Sequence, residues 1–410
     1  MIEINAGFLP LTDSAILIAA KEMGFAENHG IDLNLMRETS WANIRDRLAV
    51  GQFEIAHCLA PIPLAANLGL SPFSTKLIAP MALGLGGNAI TVSNELFDAI
   101  SEHTIVDPMN AKDVGLALAK VVETRRLHNQ PCLQFGVVHP FSAHNFELRY
   151  WLAASNIIPD VDVSITILPP PIMADALNNG QIDGFCVGEP WNSVALSKHC
   201  GKIITVKPAI WASSPEKVLA VDEVWANNNP DILHQLIKAL YEAAVWCGQS
   251  ENLSELANIL SQSNYLNVTA DIIMPGLDNS ILTATAEQVE TIPRFFEPHA
   301  GAATFPWQSH AFWLYSQMVR WGQIEHSSDN IKSVRSTFRP DIYRAALSSL
   351  GAIIPTANSK VEGALSVRTP VGAASQSLYL GPDGFFDGKA FDPDQIDSYI
   401  SEQALPDSKA

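Results

Sequence analysis

Between Ile2 and Ala82 short apolar runs alternate with helix-forming runs, and this alternation is the strongest constraint on what the chain can become. Ile2 to Ala6 reads as a strand. Thr12 or Asp13 can cap a helix running to Met23, with Gly24 as its stop. Ile31, Leu33 and Leu35 alternate with polar residues, as a second strand does. Ser40 caps a helix from Trp41 to Val50, whose inward face carries Ile44 and Leu48. Phe53 to Cys58 is a third strand, Pro63 to Leu68 a short helix and Thr75 to Ala82 a fourth strand. Strand, helix and strand in such succession predict a parallel sheet with crossover helices.

The glycine-rich run Gly84-Leu85-Gly86-Gly87-Asn88 follows. It lacks the Lys-Ser/Thr ending of a phosphate loop, and Ala89 to Val92 reads as a strand where such a loop needs a helix. A bend between lobes, or a close backbone approach to a small ligand, fits it better. A second α/β unit is then predicted over 99–207. Asn110 to Leu127 is an amphipathic helix and Leu133 to Val138 a strand. Ser142 caps a helix from Ala143 to Ala154, and Val163, Ile165 and Ile167 alternate as a further strand. Pro169 to Trp191 completes the unit. A triple proline leads into a helix that stops at Asn178-Asn179-Gly180. The apolar run Phe185-Cys186-Val187 then opens onto Gly188-Glu189-Pro190-Trp191, a loop just past a buried strand, where open α/β sheets bind ligands.

Val218 to Val221 reads as a strand returning to the first unit. Helices over Pro230 to Cys247, Asn252 to Gln262 and Ser309 to Trp321 follow, and from Pro355 the chain is rich in Gly, Ser, Pro and Ala. The expected layout is a first lobe from 1–98, a second lobe from 99–207, a return to the first lobe with a helical extension over 208–350, and an extended strap over 351–410. Two α/β units joined by more than one crossing predict a hinged clamshell that closes on a ligand.

Composition narrows the function. The 47% hydrophobic and 17% charged content is that of a globular chain. A net charge of -18 disfavours direct nucleic-acid binding and repels small anions at long range, so an anionic ligand needs a few local donors. No run of about 18 apolar residues is available to span a membrane. Met1-Ile2-Glu3-Ile4-Asn5 runs straight into the first strand, with no basic, apolar or cleavage region of an export signal. The five cysteines are scattered, with no CxxC pair. Both observations predict a cytoplasmic protein with free thiols.

The sequence has no GxSxG, HExxH or zinc-ligand spacing, and no GxGxxG at a strand-to-helix turn. His139 and His144 are separated by Pro140 and share no helix face. No catalytic residue, metal site or cofactor is therefore expected. Trp41 and His144 sit at helix starts, where backbone N–H groups favour an anion. Asn88 lies on the glycine-rich segment, Glu189 on the loop after Val187, and Lys217 at the start of a strand. A carboxylate near an anion is acceptable when a cation answers it, so Glu189 is expected to be answered by Lys217 or His144.

These residues lie in motifs that resemble the NrtA/CmpA family of nitrate- and bicarbonate-binding proteins of bacterial transporters. The motifs are Gly7-Phe8-Leu9-Pro10-Leu11-Thr12-Asp13, Ser40 to Asp46, Leu148 to Ala154, Pro169-Pro170-Pro171, Asp183 to Trp191, Pro215-Glu216-Lys217 and Phe386 to Phe391. The resemblance implies a two-lobed, periplasmic-binding-protein-like (type II) α/β fold. It implies an anion held by Trp41, His144, Gly188, Glu189 and Lys217, to which the residue pattern adds Asn88. Where nitrate transporters carry a glutamine before the Gly-Asn pair, this chain has Gly86. With no export signal in view, the resemblance is to the NasS-type nitrate/nitrite sensors of that family. These control a NasT-type RNA-binding antiterminator that regulates nitrate assimilation. The other reading is the solute-binding protein of a nitrate or bicarbonate ABC transporter whose signal peptide has been removed. Thiamin-pyrimidine synthases share the general fold, but their dense cysteine cluster is missing here.

Overall fold

The computed structural model describes residues 1–281, 291–373 and 377–403. The stretches 282–290, 374–376 and 404–410, included in the expected units 208–350 and 351–410, lie outside the described residues. The principal strands are β1 (Ile2–Phe8), β2 (Ile31–Arg37), β3 (Ile55–Leu59), β4 (Leu77–Ala82), β5 (Leu85–Gly86), β6 (Asn88–Ser93), β7 (Leu133–Val137), β8 (Val163–Ile167), β9 (Gly184–Gly188), β10 (Gly201–Val206), β11 (Lys217–Asp222) and β12 (Phe296–Glu297). They build two five-stranded sheets, in the orders β2-β1-β3-β11-β4 and β10-β6-β9-β7-β8.

The first sheet follows the predicted rhythm up to a point. β1 runs parallel to β2 from Ile2↔Ile31 to Phe8↔Arg37, and parallel to β3. β11 then enters antiparallel between β3 and β4, so the sheet is mixed rather than wholly parallel. The strand arrives from the other lobe, and its direction is set by that return path. Helices Ala15–Glu22 and Pro230–Cys247 pack together over this sheet. Leu233, Leu236, Ile237 and Leu240 bury one helical face, spaced as an inward stripe requires.

In the second sheet β7 is parallel to β8 and β9, whereas β6 is antiparallel to β9 and β10. Asn88–Ser93 therefore belongs to the second sheet, not to a first lobe ending at 98. The crossing is made earlier, by Gly84, Gly86 and Gly87, all at positive φ (92°, 77° and 89°). β5 in this crossing pairs with β12, and Leu85 bridges Pro215 on the returning chain. Three separated segments thus make up the hinge.

An apolar cluster spans the two lobes, joining Leu9, Leu11, Trp41 and Leu59 of the first to Phe185, Val187 and Trp191 of the second. The helical extension contributes Gln308–Arg320, which is almost entirely buried and packs on helices Ala143–Ala154 and Pro61–Asn67. The tail returns over the second lobe. Phe385 stacks on Trp211 at 4.6 Å, and Tyr150 Oη donates to the Asp387 carboxylate at 2.9 Å. The tail does not stay extended to its end. Asp392 accepts from Asp394 N, Pro393 opens a helical turn, and Ile396–Glu402 is a helix that buries Ile396 and Tyr399.

Candidate anion site between the lobes

The carboxyl ends of β1, β3, β7 and β9 face one another across the cleft, and the predicted side chains come from the loops and helices just beyond them. Two serine caps fix the aromatic donors. Ser40 accepts from Asn43 N at 3.2 Å and sets Trp41 as the first residue of helix Trp41–Ala49. Ser142 accepts from Asn145 N at 3.1 Å and sets His144 in the first turn of helix Ala143–Ala154. Asn88 and Gly188 are register partners on β6 and β9. Lys217 begins β11, opposite Leu59 at the end of β3.

Lys217 is the electrostatic centre. Its Nζ lies 2.6 Å from Asp13 Oδ2, 2.8 Å from Glu216 Oε1 and 5.4 Å from the centre of the Trp41 ring. Burial opposes the charge, but Asp13 and Glu216 outweigh it and raise the Lys217 pKa. Asp13 is held below its ordinary range against the effect of burial, chiefly by Lys217 and by the His57 contact at 2.9 Å. Glu216 is also held low despite burial, by His144, Lys207 and Lys217. It accepts from Asn88 Nδ2 at 2.6 Å, pairs with Lys207, and lies 3.0 Å from His144 Nδ1, off the line required for a hydrogen bond. Burial is the main cause pushing His144 down to about 3, so the ring is neutral and carries a single N–H.

Trp41, Asn88, His144, Gly188 and Lys217 are thereby brought together. A Cβ placed on Gly188 would lie 3.2 Å from Asn88 Oδ1 and 3.6 Å from Asp13 Oδ2, so the bare glycine is what lets β9 approach the first lobe. Trp41 Nε1, His144 Nε2 and Asn88 Oδ1 are buried with no hydrogen-bond partner among the described residues. Such atoms are costly to bury unless a ligand or water completes them.

Glu189 departs from expectation. It does not pair with Lys217, whose partners are Asp13 and Glu216. One Glu189 oxygen accepts from Ser193 N at 3.1 Å; the other is buried with no partner among the described residues. Burial pushes its pKa up to about 7. The residue's backbone is its link to the cleft: its carbonyl accepts from Thr12 N at 2.8 Å and its N–H donates to Gly87 O at 2.9 Å. The reason is directional. The side chain turns toward Gly276 of helix Ala270–Asp278, where an added Cβ would lie 3.0 Å from Glu189 Cβ.

Asp13 does not cap a helix. A 3-10 turn over Thr12–Ser14 precedes helix Ala15–Glu22, which frees the Asp13 carboxylate for the cleft. Asp13, His57, Glu147, Lys207 and Glu216 were missed as site residues. His57 gave a signal, as a polar residue inside the apolar strand Ile55–Leu59, and so did the adjacent opposite charges Glu216-Lys217. Glu147 and Lys207 gave none. They meet at 3.3 Å behind Glu216, and Glu147 is pushed up to about 7 by burial, with Lys207 opposing. The loop Gly188 to Trp191 and the approach to its strand are held by two hydrogen bonds. Trp191 Nε1 donates to Pro10 O at 3.1 Å, and Gln134 N donates to Asp183 Oδ2 at 2.7 Å.

Gly86 also has a physical reason. At φ 77°, its Cβ would lie 2.1 Å from Phe295 O, so no side chain fits there without moving the hinge strand.

A family model described as the NMT1-like family matches residues 2–261. The nitrate/nitrite binding protein NrtA of Synechococcus elongatus is 31% identical over 408 residues, 97% of this chain and 85% of NrtA. The nitrate import ATP-binding protein NrtC of a Synechocystis species is 34% identical over 352 residues, 85% of this chain; the match spans half the length of NrtC. The crystal structure of the periplasmic nitrate-binding protein NrtA from Synechocystis PCC 6803 superposes with a TM-score of 0.85 at 26% identity, covering 99% of each chain. The fold is accordingly the two-lobed periplasmic-binding-protein-like one. The chain belongs to the NMT1-like family, among its nitrate- and bicarbonate-binding proteins of the NrtA/CmpA type.

Proposed function

We propose that this chain is a receptor for a small planar oxyanion, nitrate or nitrite, bound between the lobes without chemical change. The observation that carries the reading is the meeting of Trp41 and Lys217 from the first lobe with His144, Asn88 and Gly188 from the second, with buried polar atoms that have no partner among the described residues. Nitrate has three acceptor oxygens and one charge. The Trp41 indole, the His144 N–H and the Lys217 ammonium would each donate to it. Because donors come from both lobes, ligand favours the closed arrangement.

We read the closed arrangement as a signal. In this proposal the protein is a cytoplasmic, NasS-type sensor that holds a NasT-type antiterminator when empty and releases it on binding nitrate or nitrite. The free thiols of Cys58, Cys186, Cys200 and Cys247, all buried, suit a reducing compartment. Complete release requires differential affinity on the order of 5 kcal/mol between the two forms. The second reading, a solute-binding component of a nitrate or bicarbonate transporter, draws support from the named relatives NrtA and NrtC.

Titration calorimetry with nitrate, nitrite and bicarbonate tests the ligand. Nitrate or nitrite is expected to bind, and binding by bicarbonate alone would turn the assignment toward the transporter reading. Pull-down of an antiterminator partner with and without nitrate tests the switch, and a partner retained at saturating nitrate defeats it.

A further inference from the structure

Glu216 holds two donors of this cleft, Asn88 Nδ2 and Lys217 Nζ, the second of which the oxyanion would need. Its carboxylate accepts from Asn88 Nδ2 at 2.6 Å, contacts Lys217 Nζ at 2.8 Å, pairs with Lys207 and lies 3.0 Å from His144 Nδ1. A carboxylate is planar, delocalised and singly charged, with two oxygens on one centre, which makes it a close mimic of nitrite and of one edge of nitrate. The charge count agrees. Lys207 and Lys217 are balanced by Asp13 and Glu216, and His57 and His144 are held neutral, so this inner set carries no net positive charge. Glu216 also stands at a particular place in the chain. It lies between Pro215, which bridges Leu85 in the hinge, and Lys217, the first residue of β11.

We infer that Glu216 is a built-in competitor of the ligand: its carboxylate stands in for the oxyanion, and a bound anion must displace it from Asn88 and Lys217. This rests on the reading of the cleft as an oxyanion site. It makes the residue a threshold setter. A site with two bare lysines would fill at trace anion levels, whereas one that must first exchange an internal carboxylate fills only at higher concentration.

The test is Glu216→Gln, which keeps the shape and removes the charge, titrated with nitrate, nitrite and formate by calorimetry. Formate is the smallest external carboxylate. The variant is expected to bind nitrate or nitrite about tenfold or more tightly than the wild type, because one buried negative charge beside the ligand is gone. Formate is expected to bind the variant and not the wild type. A residue needed only to hold Lys217 in place would give the opposite sign, weaker binding on substitution. Glu216→Asp provides a second arm if the glutamine variant unfolds, since it keeps the charge but withdraws the carboxylate from Asn88, and it too is expected to bind more tightly. Wild type that binds nitrate together with variants that bind it equally or more weakly overturns the inference alone. Absence of binding in wild type and variants overturns both the inference and the oxyanion reading. Binding by Glu216→Gln where the wild type binds nothing supports the inference in its strongest form.

Discussion

Lys217 Nζ and Asp13 Oδ2 are 2.6 Å apart, both buried, although they are 204 residues apart in the chain. The pair ties the loop after β1 to the first residue of β11, and it is the point where the first lobe's fold and the site's charge coincide. Removing the cation leaves Asp13 and Glu216 buried without it. Lys217→Ala is expected to cost about 3–5 kcal/mol in urea unfolding and to weaken nitrate binding by about a hundredfold or more. Calorimetry showing wild-type nitrate affinity in that variant would falsify the placement of the site.

Trp41 separates donor from packing. Its ring lies 5.5 Å from His57 and 5.4 Å from Lys217 Nζ, while its Nε1 is buried with no partner among the described residues. Trp41→Phe retains an aromatic face and deletes the donor. Thermal unfolding is expected to change little, whereas nitrate affinity falls by about tenfold, the worth of one hydrogen bond to a charged group. Equal losses in both measurements would assign Trp41 to packing alone.

Glu189 predicts a pH dependence. Its pKa rises from the ordinary 4.5 to about 7 on folding, through burial. Between those values the folded state binds the proton more tightly than the unfolded state, so stability from this residue declines as pH climbs from about 4.5 to about 7. The penalty is complete above that range and amounts to about 3 kcal/mol at most. Glu189→Gln is expected to flatten the decline and to be more stable than wild type at pH 8, as measured by urea unfolding across pH. Glu147, raised likewise to about 7, leaves a residual slope. Identical pH profiles for variant and wild type would remove Glu189 from the buried-acid role.

The strap is tested at its own charged knot. Lys360 pairs with buried Glu362 and, at 2.7 Å, with buried Asp383; Ser309 donates to Glu362 at 2.6 Å. Glu362 is held down at about 2, Lys360 and His310 overcoming the effect of burial. Lys360→Met is expected to destabilise the protein by about 3–5 kcal/mol and to expose the segment around Glu362 and Asp383 to protease. Unchanged proteolysis would mean that the aromatic contacts of Phe385 and Tyr150 hold the strap unaided.

Much of this was legible because periodicity and capping act locally. Ser40 and Ser142 placed Trp41 and His144 at helix starts, alternating apolar residues placed β2, and short apolar runs placed β1, β3 and β4. What was not legible depends on distant partners. Asn88–Ser93 reads as a strand in either lobe, and only pairing with Gly184–Gly188 decides which. Glu189 and Glu216 are both acidic residues beside a turn, and nothing local says that Glu216 takes the lysine while Glu189 turns toward Gly276. Lys207 and Glu147 lie on separate elements, a charge pair that only the folded lobes create.

The position of β11 carries a consequence for how the molecule is made. β3 and β4 do not pair with each other; each pairs with a strand that is synthesised only after the whole second lobe. On the ribosome, a chain that has emerged to Val206 therefore has a complete second sheet and an unfinished first one, with the facing edges of β3 and β4 unpaired. The lobe that begins the chain is the one that must wait, and its open edges are where misassembly during synthesis would start.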